Sequence, residues 1–147
     1  MRIIIELISD KEVRLPIHYS HIVQGFLYNS LRDRDYSQFL HQTGFWQGRK
    51  QFKLFTFSRL LASFTLYKKE GAIGFQPPIN LVISSALEPF ITDLAETLIT
   101  SDWGFLGGSL IEVKSVAVEK EIQFSDRVQI KMLSPAVAYS TIYLEDN

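Results

Sequence analysis

The chain has no cysteine, so a disulfide framework and a thiolate zinc site are both excluded. Histidine is scarce too: His18, His21 and His41 are the three in 147 residues. His18 and His21 stand three apart with no carboxylate at ligand spacing, so neither a metal site nor a cofactor is expected. There is no Gly-x-Ser-x-Gly elbow and no paired-carboxylate motif, which sets aside the common serine-hydrolase and glycosidase chemistries. Long apolar runs are missing as well. The start, "MRIIIELISDKEVRLP", turns charged too soon for a signal segment, and nothing approaches the roughly 18 apolar residues of a membrane span. A soluble cytoplasmic protein with no membrane partner is the expectation.

What is present suits one globular domain with a real core, since 46% of the residues are hydrophobic and 13% aromatic. The formal net charge of −1 argues against a uniformly basic nucleic-acid binder, but it hides an asymmetry. Between Arg32 and Lys69 lie eight basic residues and two acids, Asp33 and Asp35, a local charge of +6 against −7 for the rest. Such a segment is either a solvated basic face or a surface that holds a polyanion.

The pattern alternates strand and helix. "RIIIELIS" reads as a β-branched strand. "HYSHIVQGFLYNSLRD" has helical spacing, with Tyr19, Ile22, Val23, Phe26 and Leu27 on one arc, and "DYSQFLHQTG" is a second helical piece closed by Gly44. "FKLFTFSRLLASFTLYKKEG" reads as strand, turn, strand, and "AIGFQPPINLVISSA" is extended, with Pro77 and Pro78 confining its break to an edge or turn. In "SALEPFITDLAETLITSD", Ser85 and Glu88 make a capping box before the repeat of Phe90, Ile91, Leu94 and Leu98. "WGFLGGSL" has no Gly-Lys-Ser/Thr after it, so it is expected to be a tight turn and not a phosphate loop. Extended stretches "SLIEVKSVAVEK" and "DRVQIKMLSP" follow. This β-α-β-β-α-β order with an added strand predicts an α+β, ferredoxin-like (RRM-like) sandwich, an antiparallel sheet with its helices on one face.

Three polar residues stand in unexpected places. Tyr28 falls about 100° from Leu27, off the apolar arc, on a stripe with His21, Gln24 and Arg32, a surface or rim position. His41 is near a helix end, where an imidazole serves simply to cap carbonyls. Lys53 opens a strand whose alternation puts it on the face of Phe55 and Phe57, where a cation is also an ordinary gatekeeper. Together a phenol, an imidazole and an ammonium are the groups needed for metal-free RNA cleavage. The ribose 2′-hydroxyl attacks its own phosphorus, one group takes that proton, another protonates the departing 5′-oxygen, and a cation offsets the phosphorane charge. DNA, lacking the 2′-hydroxyl, is excluded as a substrate.

The segments "LPIHYSHIVQGFLYNSL", "FLHQTGF", "KLFTFSRL" and "VQIKMLSPAVAYS", in that order, resemble the amino-terminal half of the Cas6 family, the CRISPR-associated endoribonucleases that cut repeat RNA. Pro16, the "QGFLYN" run, the histidine on a second short helix and "KLFTFS" carry the resemblance. It implies that Tyr28, His41 and Lys53 are the catalytic set. His41 would act as general base or acid, Tyr28 would assist proton transfer or orientation, and Lys53 would stabilise the phosphate. The implied products are a 2′,3′-cyclic phosphate and a 5′-hydroxyl, with no divalent metal. CRISPR repeat RNA is the implied partner, with Arg32, Arg34, Arg49, Lys50 and Arg59 as RNA contacts; a homodimer and other CRISPR effector subunits are further partners to consider.

Family members have a second ferredoxin-like domain with a glycine-rich loop near the carboxyl terminus, and "GFLGGS" lies in the wrong place to be that loop. The expectation is therefore a domain over 1–135, a connection over 136–147 to a missing second domain, and a truncated protein. The alternative is a ferredoxin-like module that holds repeat RNA without cutting it. A general RRM-type binder fits less well, because "KLFTFSRL" lacks the glycine and aromatic spacing of the RNP1 motif.

Overall fold

The computed structural model describes residues 1–119 together with 126 and 127. Of the strand expected over "DRVQIKMLSP" only Asp126 and Arg127 are described, as a bend; its other residues and the connection over 136–147 lie outside the described residues. In chain order the elements are β1 (Arg2–Ile8), β2 (Val13–Pro16), α1 (Ser20–Asn29), α2 (Arg34–Gln42), β3 (Phe45–Gln47), β4 (Lys50–Phe52) and β5 (Phe55–Phe57). They continue with β6 (Phe64–Tyr67), β7 (Ala72–Phe75), β8 (Ile79–Ser85), α3 (Glu88–Ser101), β9 (Trp103–Leu106) and β10 (Ser109–Val118).

The main sheet has five strands in the order β5-β8-β1-β10-β9. Every pairing is antiparallel, so β8 and β10 flank β1, run parallel to one another and are joined over the top by α3. That split β-α-β arrangement is ferredoxin-like and matches the expected fold. β-branched and leucine residues at period two build it. Ile3, Ile5 and Leu7 face Ile83, Leu81 and Ile79 across the β1–β8 ladder, and all are buried. The buried residues of α1 and α3 join this same cluster, which places both helices on one face. A smaller sheet, β2-β7-β6, closes one side of the core through Val13, Leu15 and Phe75.

α3 buries Phe90, Ile91, Leu94 and Leu98, the apolar repeat read from the sequence. Each such side chain contributes roughly 1.5–3 kcal/mol on burial, enough to fix the helix without help from its caps. The capping box is not formed. Leu87 is the N-cap residue, and the Ser85 hydroxyl instead donates to the Leu54 carbonyl at 2.7 Å while accepting from the Leu87 amide at 2.9 Å. With its proton committed to Leu54, Ser85 ties the start of α3 to the start of β5. "WGFLGGSL" forms the β9–β10 hairpin, turning at Gly107 and Gly108 with φ of 60° and 86°. No helix among the described residues is long and apolar enough to cross a membrane.

Candidate active site at the end of the second helix

α2 begins with a real cap: the Asp33 carboxylate accepts from the Tyr36 amide at 2.9 Å. Its other end is where the polar residues gather. A helix leaves its last four carbonyls without intrahelical partners, and the carbonyls of residues 40 to 43 are instead met by side chains. The Tyr28 hydroxyl donates to the Leu40 carbonyl at 3.4 Å, and the Lys53 ammonium donates to the His41 carbonyl at 3.0 Å. The Gln51 carboxamide donates to the Gln42 carbonyl at 3.1 Å and also to the Thr43 carbonyl. The end of α2 carries partial negative charge, so an ammonium is favourably placed there.

Two backbone features put Lys53 in reach. Gly44 sits at φ +59°, and a Cβ at that position would lie 2.6 Å from the Phe52 carbonyl oxygen and 3.1 Å from the Lys53 Cδ. Only glycine leaves room for the lysine stem to lie across the end of α2. On the other side Leu54 takes φ +57°, a left-handed conformation that costs a non-glycine residue roughly 1–2 kcal/mol. The Ser85 hydroxyl bond to the Leu54 carbonyl holds that turn. Lys53 therefore does not open β5. It lies between β4 and β5, and the left-handed residue after it breaks the alternation that would have aligned it with Phe55 and Phe57. A shallow cleft of about 480 Å3 borders it, lined by Gln51, Lys53, Phe55, Ser84 and Ser85 among others.

Tyr28 is also not where a helical wheel puts it. It is 6% exposed, not on the rim, because α2 folds back over that side of α1. The Ser37 hydroxyl donates to the Tyr28 carbonyl at 2.8 Å, and Leu40 is fully buried beside it. A wheel drawn for one helix contains no second helix, which is why the position looked solvated. The Tyr28 ring meets His41 edge to face at 5.4 Å between centroids and Phe55 at 5.8 Å. Burial pushes the Tyr28 phenol above its usual value of 10, while the hydrogen bond it accepts from Gln24 pulls the other way. It is a neutral phenol at neutral pH. His41 is exposed, so its imidazole faces solvent with its ring braced on one side.

The structure thus brings Tyr28, His41 and Lys53 to one helix end. The expected RNA contacts fall in three places. Arg49 and Lys50 lie on the β3–β4 hairpin that joins α2 to Lys53. That segment reads in the sequence as a glycine-broken loop but forms two paired strands with Gly48 and Arg49 at the turn. Arg32 and Arg34 lie at the opposite end of α2, and Arg32 is ion-paired with Glu96 at 3.4 Å. Arg59 lines a separate cleft with His18, Tyr19 and His21. Sequence reasoning missed Gln51 as an anchor of α2. The Gly-Arg pair between "FWQ" and "KQF" was the available signal, because glycine as the first of two residues between strand-like runs suits a type II′ hairpin turn.

These features define the class: a ferredoxin-like α+β domain with a polar cluster at the end of its second helix. No family model and no curated protein matches the chain. Among solved structures it is similar to "CRISPR associated protein Cas6", with a TM-score of 0.60 and 24% identity over 83% of this chain and 49% of that one. It is similar to "An RAMP protein binding different RNA substrates" at a TM-score of 0.63 and 22% identity, covering 85% and 50%. It is also similar to a Cas6-related protein from Pyrococcus furiosus at 0.64 and 21%, covering 84% and 50%. The chain has a Cas6-like fold, and it spans about half the length of each of these proteins.

Proposed function

We propose that this chain is the catalytic portion of a metal-independent endoribonuclease that cleaves CRISPR repeat RNA. The observation that carries the reading is the meeting of Tyr28, His41 and Lys53 at the end of α2, in a Cas6-like fold. In the reaction the 2′-oxygen loses its proton and bonds to phosphorus, the P–O5′ bond breaks, and the 5′-oxygen takes a proton. The products are a 2′,3′-cyclic phosphate and a 5′-hydroxyl, and no other reactant is consumed. His41, exposed and able to take or give a proton, serves as the acid or base. The Lys53 ammonium has three donors, of which one is given to the His41 carbonyl, so two remain for phosphate oxygens. Tyr28 orients the imidazole. Its proton is directed at the Leu40 carbonyl and burial keeps it on the phenol, which favours bracing over proton transfer.

On this reading residues 1–135 bear the chemistry and 136–147 begin the connection to a second ferredoxin-like domain, in keeping with similar chains of twice the length. The test uses the full-length protein and repeat RNA in excess EDTA. The expected result is one cut, ending in a cyclic phosphate and a 5′-hydroxyl, lost when the cut nucleotide carries 2′-deoxyribose. Cutting that needs a divalent ion, or that persists on the deoxy substrate, refutes the mechanism.

A second reading is a module that holds repeat RNA without cutting it. What favours it is that Tyr28 and Lys53 both already serve as caps on α2 carbonyls. Repeat RNA bound but left whole by the wild type, with affinity unchanged by substitutions at Tyr28, His41 and Lys53, would support this alternative.

A further inference from the structure

We infer that Trp46 is a stacking platform for a nucleobase of the RNA, next to the phosphate at the end of α2; this rests on the reading that the chain acts on RNA. The β3–β4 hairpin is the segment between His41 and Lys53, so whatever it holds is held beside both. Register assigns its two faces. Phe45 pairs with Phe52, and Phe45 packs edge to face on Phe39 at 5.2 Å, which seats that face on α2. Trp46 pairs with Gln51, and directly paired side chains share a face with Cβ atoms about 5 Å apart. Gln51 is bonded to the carbonyls of Gln42 and Thr43, the residues that follow His41. Trp46 is therefore one cross-strand neighbour away from the end of α2.

The indole is 61% exposed and has no ring partner among the described residues. Single exposed apolar side chains are common, and what singles out Trp46 is the charge around it. Its surroundings select the ligand. Between Asp35 and Glu70 there is no acidic residue, while Arg49, Lys50 and Lys53 flank the hairpin, and none of the three is ion-paired among the described residues. Trp103 makes the contrast. It is equally exposed, but it has a ring partner in Phe105 at 5.9 Å, and the two clefts it lines hold three acids, Asp10, Asp102 and Glu112, against one base, Arg34. Aromatic faces interleaved with cations are the means by which single-stranded nucleic acid is held, the cations on the backbone and the rings on the bases.

The experiment uses the full-length protein carrying Trp103→Phe, which leaves Trp46 as the one tryptophan of these 147 residues, and His41→Ala to keep the RNA whole. The probe is repeat RNA, unmodified and as a series with one abasic nucleotide moved along it. Trp46 fluorescence is expected to be quenched on binding, and to stay bright for one position of the abasic nucleotide. Adding Trp46→Ala should weaken binding about tenfold, Trp46→Phe should hold it within about threefold, and Trp46→Ala should cost nothing further on that one abasic RNA. RNA that binds with fluorescence and Trp46→Ala affinity unchanged overturns the stacking role alone. No RNA binding by any form overturns it together with the RNA reading.

Discussion

α2 and α3 belong to one small domain and are held in place by different physics. α3, 14 residues long, buries Phe90, Ile91, Leu94 and Leu98 against the sheet and needs little from its ends. α2, nine residues long, buries only Ser37 and Leu40, and is secured at its carboxyl end by side chains of Tyr28, Lys53 and Gln51 on successive carbonyls. Apolar packing makes a rigid wall but supplies no reactive group. Polar anchoring brings a phenol, an ammonium and an imidazole within one helical turn, at a lower cost to the core than burying charge. The helix that looks less secure is the one whose end gathers polar side chains.

Removing apolar packing from α3 is expected to have the largest effect on stability. Phe90→Ala, at a position 1% exposed, should lower unfolding free energy by about 3–5 kcal/mol in urea titration. A loss below about 1 kcal/mol would mean that α3 is not the apolar anchor described. The polar end of α2 is broken most directly at Gly44. Gly44→Ala at φ +59° should cost about 1–2 kcal/mol, and cleavage should fall by much more than stability because the Lys53 stem loses its path. Equal losses in both would mean that Lys53 does not depend on Gly44.

Tyr28→Phe is the mildest change. It keeps the ring against His41 and Phe55 and removes two long hydrogen bonds, one to the Leu40 carbonyl at 3.4 Å and one from Gln24 at 3.2 Å, so stability should change by about 0.5–1.5 kcal/mol. Its pH signature is sharper. The folded phenol titrates above its unfolded value of 10, so the neutral form stabilises the fold fully below pH 10. That contribution drains away as pH rises from 10 through the folded value. Tyr36 and Tyr67 are raised as well, so Tyr28→Phe should lessen the alkaline decline in urea midpoints without abolishing it, and an unchanged decline would show that Tyr28 is not buried as described.

Much of this was legible in the residues. Period-two runs such as Ile3, Ile5 and Leu7 and the helical repeat from Phe90 to Leu98 gave the sheet and α3, because each buries against something already implied by its own pattern. The three proposed site residues came from the resemblance, and their meeting at the end of α2 depends on contacts between elements that no single segment's pattern contains. The burial of Tyr28 was not legible, since α2 covers it from outside the helix to which it belongs. The break before β5 was not legible either. Leucine at φ +57° defies propensity and exists because Ser85, 31 residues away, holds its carbonyl. Gln51 as an anchor required the hairpin, and the hairpin hung on one glycine.

The central claim is that the end of α2 is where RNA is cut. The most direct measurement is the single-turnover cleavage rate of repeat RNA in excess EDTA by the full-length wild type and its His41→Ala variant. Because His41 is exposed, the variant should fold normally by circular dichroism. The rate is expected to drop by about 10²–10⁴ with the fold intact. An unchanged rate in the folded variant would contradict the account.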